Sequence, residues 1–298
     1  MWANLAPPID EHMVTLSAFL ARAASALRAA ALEEPWREAR WLVREVLCLS
    51  EADLLVRENV LLRPEEGALL EEALRRRVAR EPIPHITGRV HFLHWQFAIS
   101  PGLFVPRPET EVWVEAVAQR LSRGAEAKLT AIDVGCGIGV VGLSLCLLGA
   151  ASRALLLDIS PSAVAMARAN ALTLLPQGGA LAACSDLLQA VRPRAPYALL
   201  ANLPYVERST IETLQAEIRL WEARQALDGG DDGLDLIRRL LQQVPTLPDP
   251  PRLLALEVGA GQAGKVKTLV RGLSLWKSVE SVRDYSGIER AVVAHARD

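Results

Sequence analysis

The sequence predicts an α/β fold, in which a mainly parallel sheet carries helices on both faces and is preceded by a small helical bundle and a β-hairpin. Four short apolar runs alternate with helical stretches after Glu109, at residues 130–134, 153–157, 197–201 and 252–258. Such alternation is typical of βαβ units. A glycine-rich segment directly follows the first run, where a strand leads into a loop. Two further runs, 278–284 and 288–294, predict an antiparallel pair at the sheet edge.

The chain before the sheet is predicted to be helical. Apolar residues recur there at three- and four-residue steps, for example Ala39, Leu42 and Val43. Pro64 is suited to open one of these helices. We expect Glu81-Pro-Ile-Pro84 to end the bundle, because prolines at alternate positions cannot continue a helix. We therefore predict a helical domain at residues 1–86.

Residues 87–105 mix aromatic and β-branched side chains around the turn sequence Ser100-Pro-Gly102. This composition predicts a β-hairpin that links the helical domain to a larger domain at 106–298. Two domains also suit the length of 298 residues, which exceeds the usual size of a domain with one core.

Composition excludes several classes of protein. Hydrophobic residues make up 51% of the chain, charged residues 23%, and the net charge is -2, as in an ordinary globular protein. A net charge this close to zero disfavours an extended nucleic-acid surface. We therefore expect no stable nucleic-acid binding. We also expect a monomer.

The sequence contains no membrane or metal signature. No apolar segment is long enough to span a bilayer, and the start of the chain carries Asp10 and Glu11 rather than a basic and then apolar block. The four cysteines are widely spaced, and His91 and His94 have no third ligand nearby. We expect a reduced, cytoplasmic protein without a membrane anchor, a disulfide or a metal.

The glycine-rich segment Asp133-Val-Gly-Cys-Gly-Ile-Gly-Val-Val-Gly142 matches a nucleotide-binding spacing that suits either a nicotinamide cofactor or S-adenosylmethionine. Two details favour S-adenosylmethionine. Asp133 can meet its cationic amino-acid end, whereas a pyrophosphate would be repelled there, and Gly135 extends the pattern to G-x-G-x-G. The candidate cofactor residues of this loop are Asp133, Gly135, Cys136, Gly137, Ile138 and Gly139.

The ends of the next two strands supply further cofactor candidates. Asp158 ends an apolar run and can accept hydrogen bonds from both ribose hydroxyls, while Ile159 can pack on adenine. An alternative role for Asp158 is to cap the following helix, although Ser160 is better placed to do so. Asp186, with Leu187 beside it, is expected to meet the adenine amine; its alternative role is that of a turn residue.

The tetrapeptide Asn202-Leu203-Pro204-Tyr205 follows the buried run 197–201, at the sheet edge where ligands bind in open α/β folds. The Asn202 side-chain oxygen and the Leu203 carbonyl can accept both hydrogens of a planar NH2 group, and Tyr205 can stack on it. Pro204 holds these acceptors rigid. The tetrapeptide therefore indicates methyl transfer onto nitrogen, with Asn202 also beside the cofactor.

These motifs closely resemble the HemK/PrmC family of peptide chain release factor glutamine methyltransferases, over nearly the whole chain. Three more segments carry the resemblance: Phe104-Val-Pro-Arg-Pro-Glu-Thr-Glu111, 226–234 and 257–262. It implies a seven-stranded Rossmann-like class I methyltransferase sheet, a substrate-recognition role for the helical domain and S-adenosylmethionine as cofactor. The implied substrate is the glutamine of the Gly-Gly-Gln motif of release factors, methylated on its side-chain amide.

The resemblance also assigns roles before the glycine loop. Phe104 becomes a candidate wall of the cofactor pocket, and Arg107 and Glu111 become substrate-positioning candidates. From the residues alone, Arg107 and Glu111 could instead form an ion pair at a helix start. Related ribosomal-protein glutamine methyltransferases usually carry Pro-Arg-Ser-Pro in this stretch.

The chain departs from the family pattern at Leu203, where proline is usual, and at Trp221 and Ala223. Asn-Leu-Pro-Tyr resembles adenine dimethyltransferases of ribosomal RNA, so an adenine N-methyltransferase acting on RNA is one alternative. A non-catalytic cofactor-binding module is another. Arg75-Arg-Arg77 and Arg80 could supply a basic surface, but Glu71 and Glu72 lie four residues before Arg75 and Arg76 and favour a self-paired helix face.

Overall fold

A computed structural model describes residues 14–122 and 129–297, which divide into one compact unit that ends at Thr87 and another that begins at Gly88. The described part of the first unit is helical, as its periodicity predicts. Its helices are α1 (Leu16–Ala29), α2 (Pro35–Leu47), α3 (Glu51–Val56), α4 (Pro64–Val78) and α5 (Ile83–Thr87). Their apolar faces form a core of their own around Phe19, Leu42 and Leu70.

The expectation about the prolines at 82 and 84 was wrong in part. The helix α4 begins at Pro64 as predicted and ends at Val78, but the short helix α5 follows instead of an extended segment. Pro84 lies in the first turn of α5, where its missing N–H would have no intrahelical partner in any case. Two prolines so close to a helix start open a new helix rather than preventing one.

The arginines of α4 are paired with carboxylates, but only in part within the helix itself. Arg75 binds Glu72 at 2.6 Å. Arg76 donates to Glu81 at 2.7 Å from its Nε, and Arg77 donates to Glu38 at 2.9 Å. The predicted four-residue spacing was wrong, because Glu72 pairs with Arg75 rather than with Arg76, and Glu71 pairs with Arg22 of α1. The partners of the other two arginines lie outside α4.

The hairpin belongs to the second unit and packs on its core. Its strands β1 (Arg89–Phe92) and β2 (Trp95–Ala98) are antiparallel, with Phe92 opposite Trp95. The hairpin turn therefore lies at Leu93 and His94 and not at Ser100-Pro-Gly102. The predicted turn at Ser100-Pro-Gly102 does form, with the Leu103 N–H donating to the Ser100 carbonyl at 3.3 Å, but it comes after the hairpin. Leu93 adopts φ +52°, a left-handed conformation that is uncommon for apolar residues and that its sequence therefore does not predict. The Asn170 side chain holds both main-chain groups of Ala98, at 2.7 and 2.9 Å.

The main sheet of the described chain has seven strands in the order β5-β4-β3-β6-β7-β9-β8. The strands are β3 (Thr130–Val134), β4 (Arg153–Asp158), β5 (Ala180–Cys184), β6 (Tyr197–Ala201), β7 (Leu253–Glu257), β8 (Trp276–Arg283) and β9 (Glu289–Ala296). The flanking helices are α6 (Pro108–Ser122), α7 (Val140–Leu147), α8 (Pro161–Leu174), α9 (Ala216–Trp221), α10 (Asp235–Gln243) and α11 (Ala263–Gly272).

Sheet topology explains where a site can form. The first five strands in spatial order are parallel, and β9 runs antiparallel between β7 and β8, which confirms the predicted edge pair. Every residue of β6 and β7 is buried, as expected for central strands covered on both faces. The loops after the parallel strands meet at one edge of the sheet. Within the described residues, no helix is both long and apolar enough to cross a membrane.

Candidate active site

A cavity of about 750 Å³ lies at the carboxyl ends of β3, β4, β5 and β6, a size suited to a small-molecule ligand. Most of the sequence-predicted site residues line it. They are Phe104, Arg107, Gly135, Cys136, Gly137, Ile138, Asp158, Ile159, Asp186, Leu187, Asn202, Leu203, Pro204 and Tyr205. Asp133, Gly139 and Glu111 lie outside this lining.

The glycine loop leaves β3 in a conformation that side chains disfavour. Gly135 adopts φ +71°, and a Cβ on it would lie 2.9 Å from the Cδ2 atom of Leu203. Gly142, in the first turn of α7, is equally constrained, since its Cβ would lie 2.6 Å from Leu156. Only glycine at these two positions lets the loop pass close to the tetrapeptide and lets α7 pack on the sheet.

Asp133 is buried, with 1% of its surface exposed, and it holds the start of α7. Its Oδ2 accepts a hydrogen bond from the Gly142 N–H at 2.8 Å. Its Oδ1 is buried without a hydrogen-bond partner among the described residues. Burial raises the pKa of the carboxyl group to about 7, although the Gly142 hydrogen bond opposes the shift. The structure thus places Asp133 against the helix rather than in the cavity lining.

Asp158 joins β4 to the glycine loop. One carboxylate oxygen accepts from the Gly137 N–H at 2.9 Å and the other from the Ser160 N–H at 2.8 Å. Burial raises its pKa, and these backbone hydrogen bonds lower it in part. Ser160 caps α8 by accepting from the Ala163 N–H, so the alternative role of Asp158 as the helix cap does not hold.

Asp186 has a partner that the sequence pattern did not indicate. The guanidinium of Arg239 on α10 donates to Asp186 Oδ2 at 2.6 Å, and Gln189 donates to the same oxygen at 3.2 Å. Arg239 also lines the cavity. The ion pair therefore holds the Asp186 carboxylate in the part of the cavity that the loop after β5 lines.

The tetrapeptide is held by side chains that are distant in sequence. Asn202 donates from Nδ2 to the Thr110 hydroxyl at 3.5 Å. The Tyr205 hydroxyl donates to Glu257 at 3.3 Å, and Gln262 donates to the Tyr205 carbonyl at 3.0 Å. The Leu203 side chain is buried, so its contribution to the cavity surface is small.

Arg107 lines the cavity and is paired with a buried carboxylate. Its guanidinium binds both carboxylate oxygens of Glu222, at 2.7 and 2.8 Å, and stacks 4.6 Å from the centre of the Phe104 ring. Burial raises the pKa of Glu222 to about 7, and the charge of Arg107 opposes that shift. The helix-start ion pair between Arg107 and Glu111 is therefore not formed in the described structure.

No group of three histidine, cysteine or acidic side chains among the described residues could hold a metal ion. The His91 ring contacts the Gln96 amide at 3.4 Å, and the His94 ring packs edge-on against Trp95. The four cysteines, all within the described ranges, form no disulfide with one another.

Two family models match this chain. Residues 18–88 match the PrmC N-terminal domain, and residues 102–245 match the methyltransferase small domain. The release factor glutamine methyltransferase of Moorella thermoacetica is 35% identical over 285 residues, which cover 96% of this chain and 100% of that protein. The chain belongs to the release factor glutamine methyltransferase family. The family member of Rhodospirillum rubrum is 37% identical over 291 residues, covering 97% of this chain and 87% of that protein.

Solved structures agree on the fold. The 16S rRNA N2 G1207 methyltransferase (RsmC) of T. thermophilus, solved with AdoMet and guanosine, superposes with a TM-score of 0.50 at 15% identity. The match covers 70% of this chain and 50% of that one. At this identity the likeness concerns the class I methyltransferase fold alone. S-adenosylmethionine is the cofactor of the release factor glutamine methyltransferase family, and this chain is an enzyme of that family.

Several residues of the site were missed by sequence reasoning. Thr110, Glu222, Glu257 and Gln262 contact predicted site residues directly but were not among the candidates. Thr110 lies inside the Pro-Arg-Pro-Glu-Thr-Glu stretch, and Glu257 and Gln262 lie in a segment that carries the family resemblance. A charged residue at the end of a wholly apolar strand was the available signal for Glu257.

Proposed function

We propose that this protein transfers the methyl group of S-adenosylmethionine to the side-chain amide nitrogen of the glutamine in the Gly-Gly-Gln motif of peptide chain release factors. The observation that carries the proposal is the geometry of Asn202. Its Nδ2 is bound to Thr110, so its Oδ1 is the atom left to accept a hydrogen bond in a cavity that the glycine loop and Asp158 also line.

The residues present fit the cofactor. Gly135 combines a positive φ with a close approach to Leu203, so a side chain at this one position would be strained, as is typical where a backbone approaches a ligand. Asp158 would bind the ribose hydroxyls, and Ile159, Leu187 and Asp186 would hold the adenine. When bound, the cofactor supplies an electrophilic sulfonium methyl group.

The remaining cofactor contacts would come from Phe104, the glycine loop and Asp133. Phe104 would form a wall of the pocket, since its ring is held in place by Arg107. The backbone of Cys136, Gly137, Ile138 and Gly139 would pass along the amino-acid end of the ligand. Asp133 would act on that end from outside the cavity lining, through the buried carboxylate oxygen that has no partner in the described chain.

The acceptor residues would overcome the weak nucleophilicity of an amide. Its lone pair is delocalised into the carbonyl, so positioning and electrostatics carry the rate. Asn202 Oδ1 and the Leu203 carbonyl would accept the two N–H bonds, aim the lone pair at the methyl carbon and stabilise the positive charge that develops on nitrogen. The N–C bond would form as the S–C bond breaks, and the nitrogen would then lose a proton to water.

The rest of the chain would serve recognition. Residues 1–86 form the proposed substrate-recognition domain, 87–105 the linking hairpin and 106–298 the methyltransferase domain, with Arg107 and Glu111 positioning the substrate. Leu55 and Val56 on the helical unit are 63% and 81% exposed, which suits contact with a protein partner. We place the protein in the cytoplasm as a monomer, with release factors as its partners and no stable nucleic-acid binding.

Transfer of labelled methyl from S-adenosylmethionine tests the function. Purified release factor is expected to take up label, and release factor with the motif glutamine replaced by alanine is expected to take up none. Label in ribosomal RNA would instead support the adenine methyltransferase, and label in neither would support a non-catalytic module.

Asn202→Ala tests the mechanism in the same assay. We expect turnover to fall by about 100-fold or more, because the variant loses one of the two acceptors that orient the amide. S-adenosylmethionine should still bind with nearly unchanged affinity in calorimetry. Equal turnover in the variant and the parent protein would refute the role given to Asn202.

A further inference from the structure

A buried network of side chains joins α6, β7 and the tetrapeptide. Glu257, the last residue of β7, is 3% exposed. In the parallel pair β6 and β7, Ala201 lies opposite Leu256. The next residue after Ala201 is Asn202, and the next residue after Leu256 is Glu257. The sheet register itself thus places a carboxylate beside the proposed acceptor of the substrate amide.

Three side chains of the described chain donate hydrogen bonds to Glu257. The Thr110 hydroxyl and the Trp113 indole N–H bind Oε2 at 2.7 and 2.6 Å, and the Tyr205 hydroxyl binds Oε1 at 3.3 Å. Thr110 and Trp113 lie one turn apart on α6, and both are buried. No basic side chain of the described residues forms an ion pair with Glu257.

Burying a carboxylate such as Glu257 costs free energy, which a residue that served packing alone would not need to cost. Burial raises the pKa of Glu257, and the hydrogen bonds from Thr110, Trp113 and Tyr205 lower it only in part. An apolar residue would join the helix to the sheet at lower cost. The position of Glu257 is therefore better explained by the groups that it orients.

The network fixes which way the Asn202 amide faces. The Thr110 hydroxyl has a single hydrogen and donates it to Glu257, so toward Asn202 it can only accept. The amide atom next to Thr110 must then be Nδ2, and Oδ1 faces the other way. A second arm acts on Tyr205, whose pKa is raised by burial and by Glu257, so that its hydroxyl keeps its proton and donates.

We infer that Glu257 is a positioning residue for methyl transfer: through Thr110 it sets the orientation of the Asn202 amide, and through the Tyr205 hydroxyl it sets the ring that walls the acceptor. This inference rests on the proposed function. Glu257 is outside the cavity lining and touches neither substrate nor cofactor directly.

Steady-state kinetics of Glu257→Ala test the inference. We expect kcat for release factor methylation to fall by about 100-fold, since a misoriented acceptor affects the transition state more than binding. The KM for release factor and the affinity for S-adenosylmethionine should change less than about 3-fold. A loss that appears only in KM or in cofactor affinity would overturn the inference.

Glu257→Gln supplies the conservative rescue. Its amide oxygen can still accept from Thr110 and Trp113. Only the bond to Tyr205 changes direction, because the NH2 group would donate to the tyrosine hydroxyl. We expect it to retain kcat within about 10-fold of the parent protein. A glutamine variant as impaired as the alanine variant, with both folded, would contradict the positioning role.

Two variants on α6 separate positioning from packing. Thr110→Val removes the hydroxyl that connects Glu257 to Asn202, whereas Trp113→Phe removes a hydrogen bond of Glu257 that leads to no residue of the tetrapeptide. We expect kcat to fall by about 10-fold in the first and to stay within about 3-fold in the second. Equal losses in both would assign Glu257 to packing.

The side-chain amide resonance of Asn202 gives a readout independent of methyl transfer. It can be assigned by its absence in Asn202→Ala and should shift in Thr110→Val and Glu257→Ala but not in Trp113→Phe. If the parent protein methylates no release factor but these shifts occur, the proposed function fails and the orienting network stands. If methylation occurs and the resonance does not move, the inference is wrong.

Discussion

The two ends of the cavity are built by different means. At the cofactor end, the glycine loop is held by contacts to its own neighbouring elements, namely Asp133 to Gly142 and Asp158 to Gly137. At the acceptor end, the tetrapeptide is held by Thr110, Glu257 and Gln262, which lie 92, 52 and 57 residues from their partners. The first end depends on backbone conformation, and the second depends on side chains assembled from across the chain.

The comparison also separates two kinds of buried carboxylate. Asp133 has one oxygen without a partner among the described residues, whereas both oxygens of Glu257 accept hydrogen bonds from side chains. Burial raises the pKa of each group. Ionising Asp133 should therefore destabilise the fold more than ionising Glu257, because fewer donors offset the lost hydration.

The largest expected effect is the pH dependence of stability that comes from Asp133. The ordinary pKa of an aspartate carboxyl is 3.8, and burial in the folded protein raises the pKa of Asp133 to about 7. The folded state keeps the proton that the unfolded state has lost, so the free energy of unfolding should fall between about pH 4 and pH 7, by at most about 4 kcal/mol from this group. Urea unfolding at a series of pH values measures this dependence.

Asp133→Asn isolates this contribution, since Asp158, Glu222 and Glu257 also have raised pKa values and remain in both proteins. The variant should lose less stability than the parent protein as the pH rises. If the free energy of unfolding depended on pH in the same way in both proteins, the ionisation of Asp133 would not contribute to stability as its burial predicts.

A smaller loss is expected when the acceptor end is disturbed through its backbone. Gly233 adopts φ +73°, and a Cβ there would lie 2.2 Å from the Tyr205 carbonyl oxygen and 2.4 Å from Gln262 Nε2. Gly233→Ala should destabilise the protein by about 3 kcal/mol, because it combines backbone strain with a clash. The denaturant midpoint and the rate of methyl transfer both report the change.

Gly264→Ala is the matched control for that experiment. Gly264 lies in α11, and apart from its chain neighbours and the backbone of its own helix no heavy atom of the described residues lies within 4 Å of a Cβ built on it. Its stability should change by less than about 1 kcal/mol. If both alanine variants were equally stable, the glycine-rich segment at 226–234 would not be supporting the tetrapeptide.

The smallest of these effects is expected at the cofactor end. Asp158→Ala should weaken S-adenosylmethionine binding by about 10- to 100-fold, through loss of the ribose contact and of the bond to the Gly137 N–H. The KM for release factor should change little, because the acceptor end is held independently. Calorimetric titration of the cofactor measures the first quantity, and an unchanged Kd would reject the ribose role.

Much of the cofactor end was predictable from the sequence because its signals are local. Glycines at 135 and 142 mark positions without room for a Cβ, and Ser160 caps α8 as expected. The hairpin turn was misplaced because Leu93 adopts a positive φ without glycine or asparagine to signal it. The strand β5 has no strong apolar pattern, because its Ala-Leu-Ala-Ala-Cys residues are only partly buried at the sheet edge.

The sequence by itself determined the α/β class, the family, the cofactor and the positions of the glycine loop and the tetrapeptide, because periodicity and short motifs are properties of neighbouring residues. Tertiary structure alone decided that Arg107 pairs with Glu222 and that Glu257 lies beside Asn202. Those contacts join residues more than fifty positions apart, and strand register and helix packing set their distances. No local pattern encodes that register, so the orientation of the Asn202 amide emerges only in the folded chain.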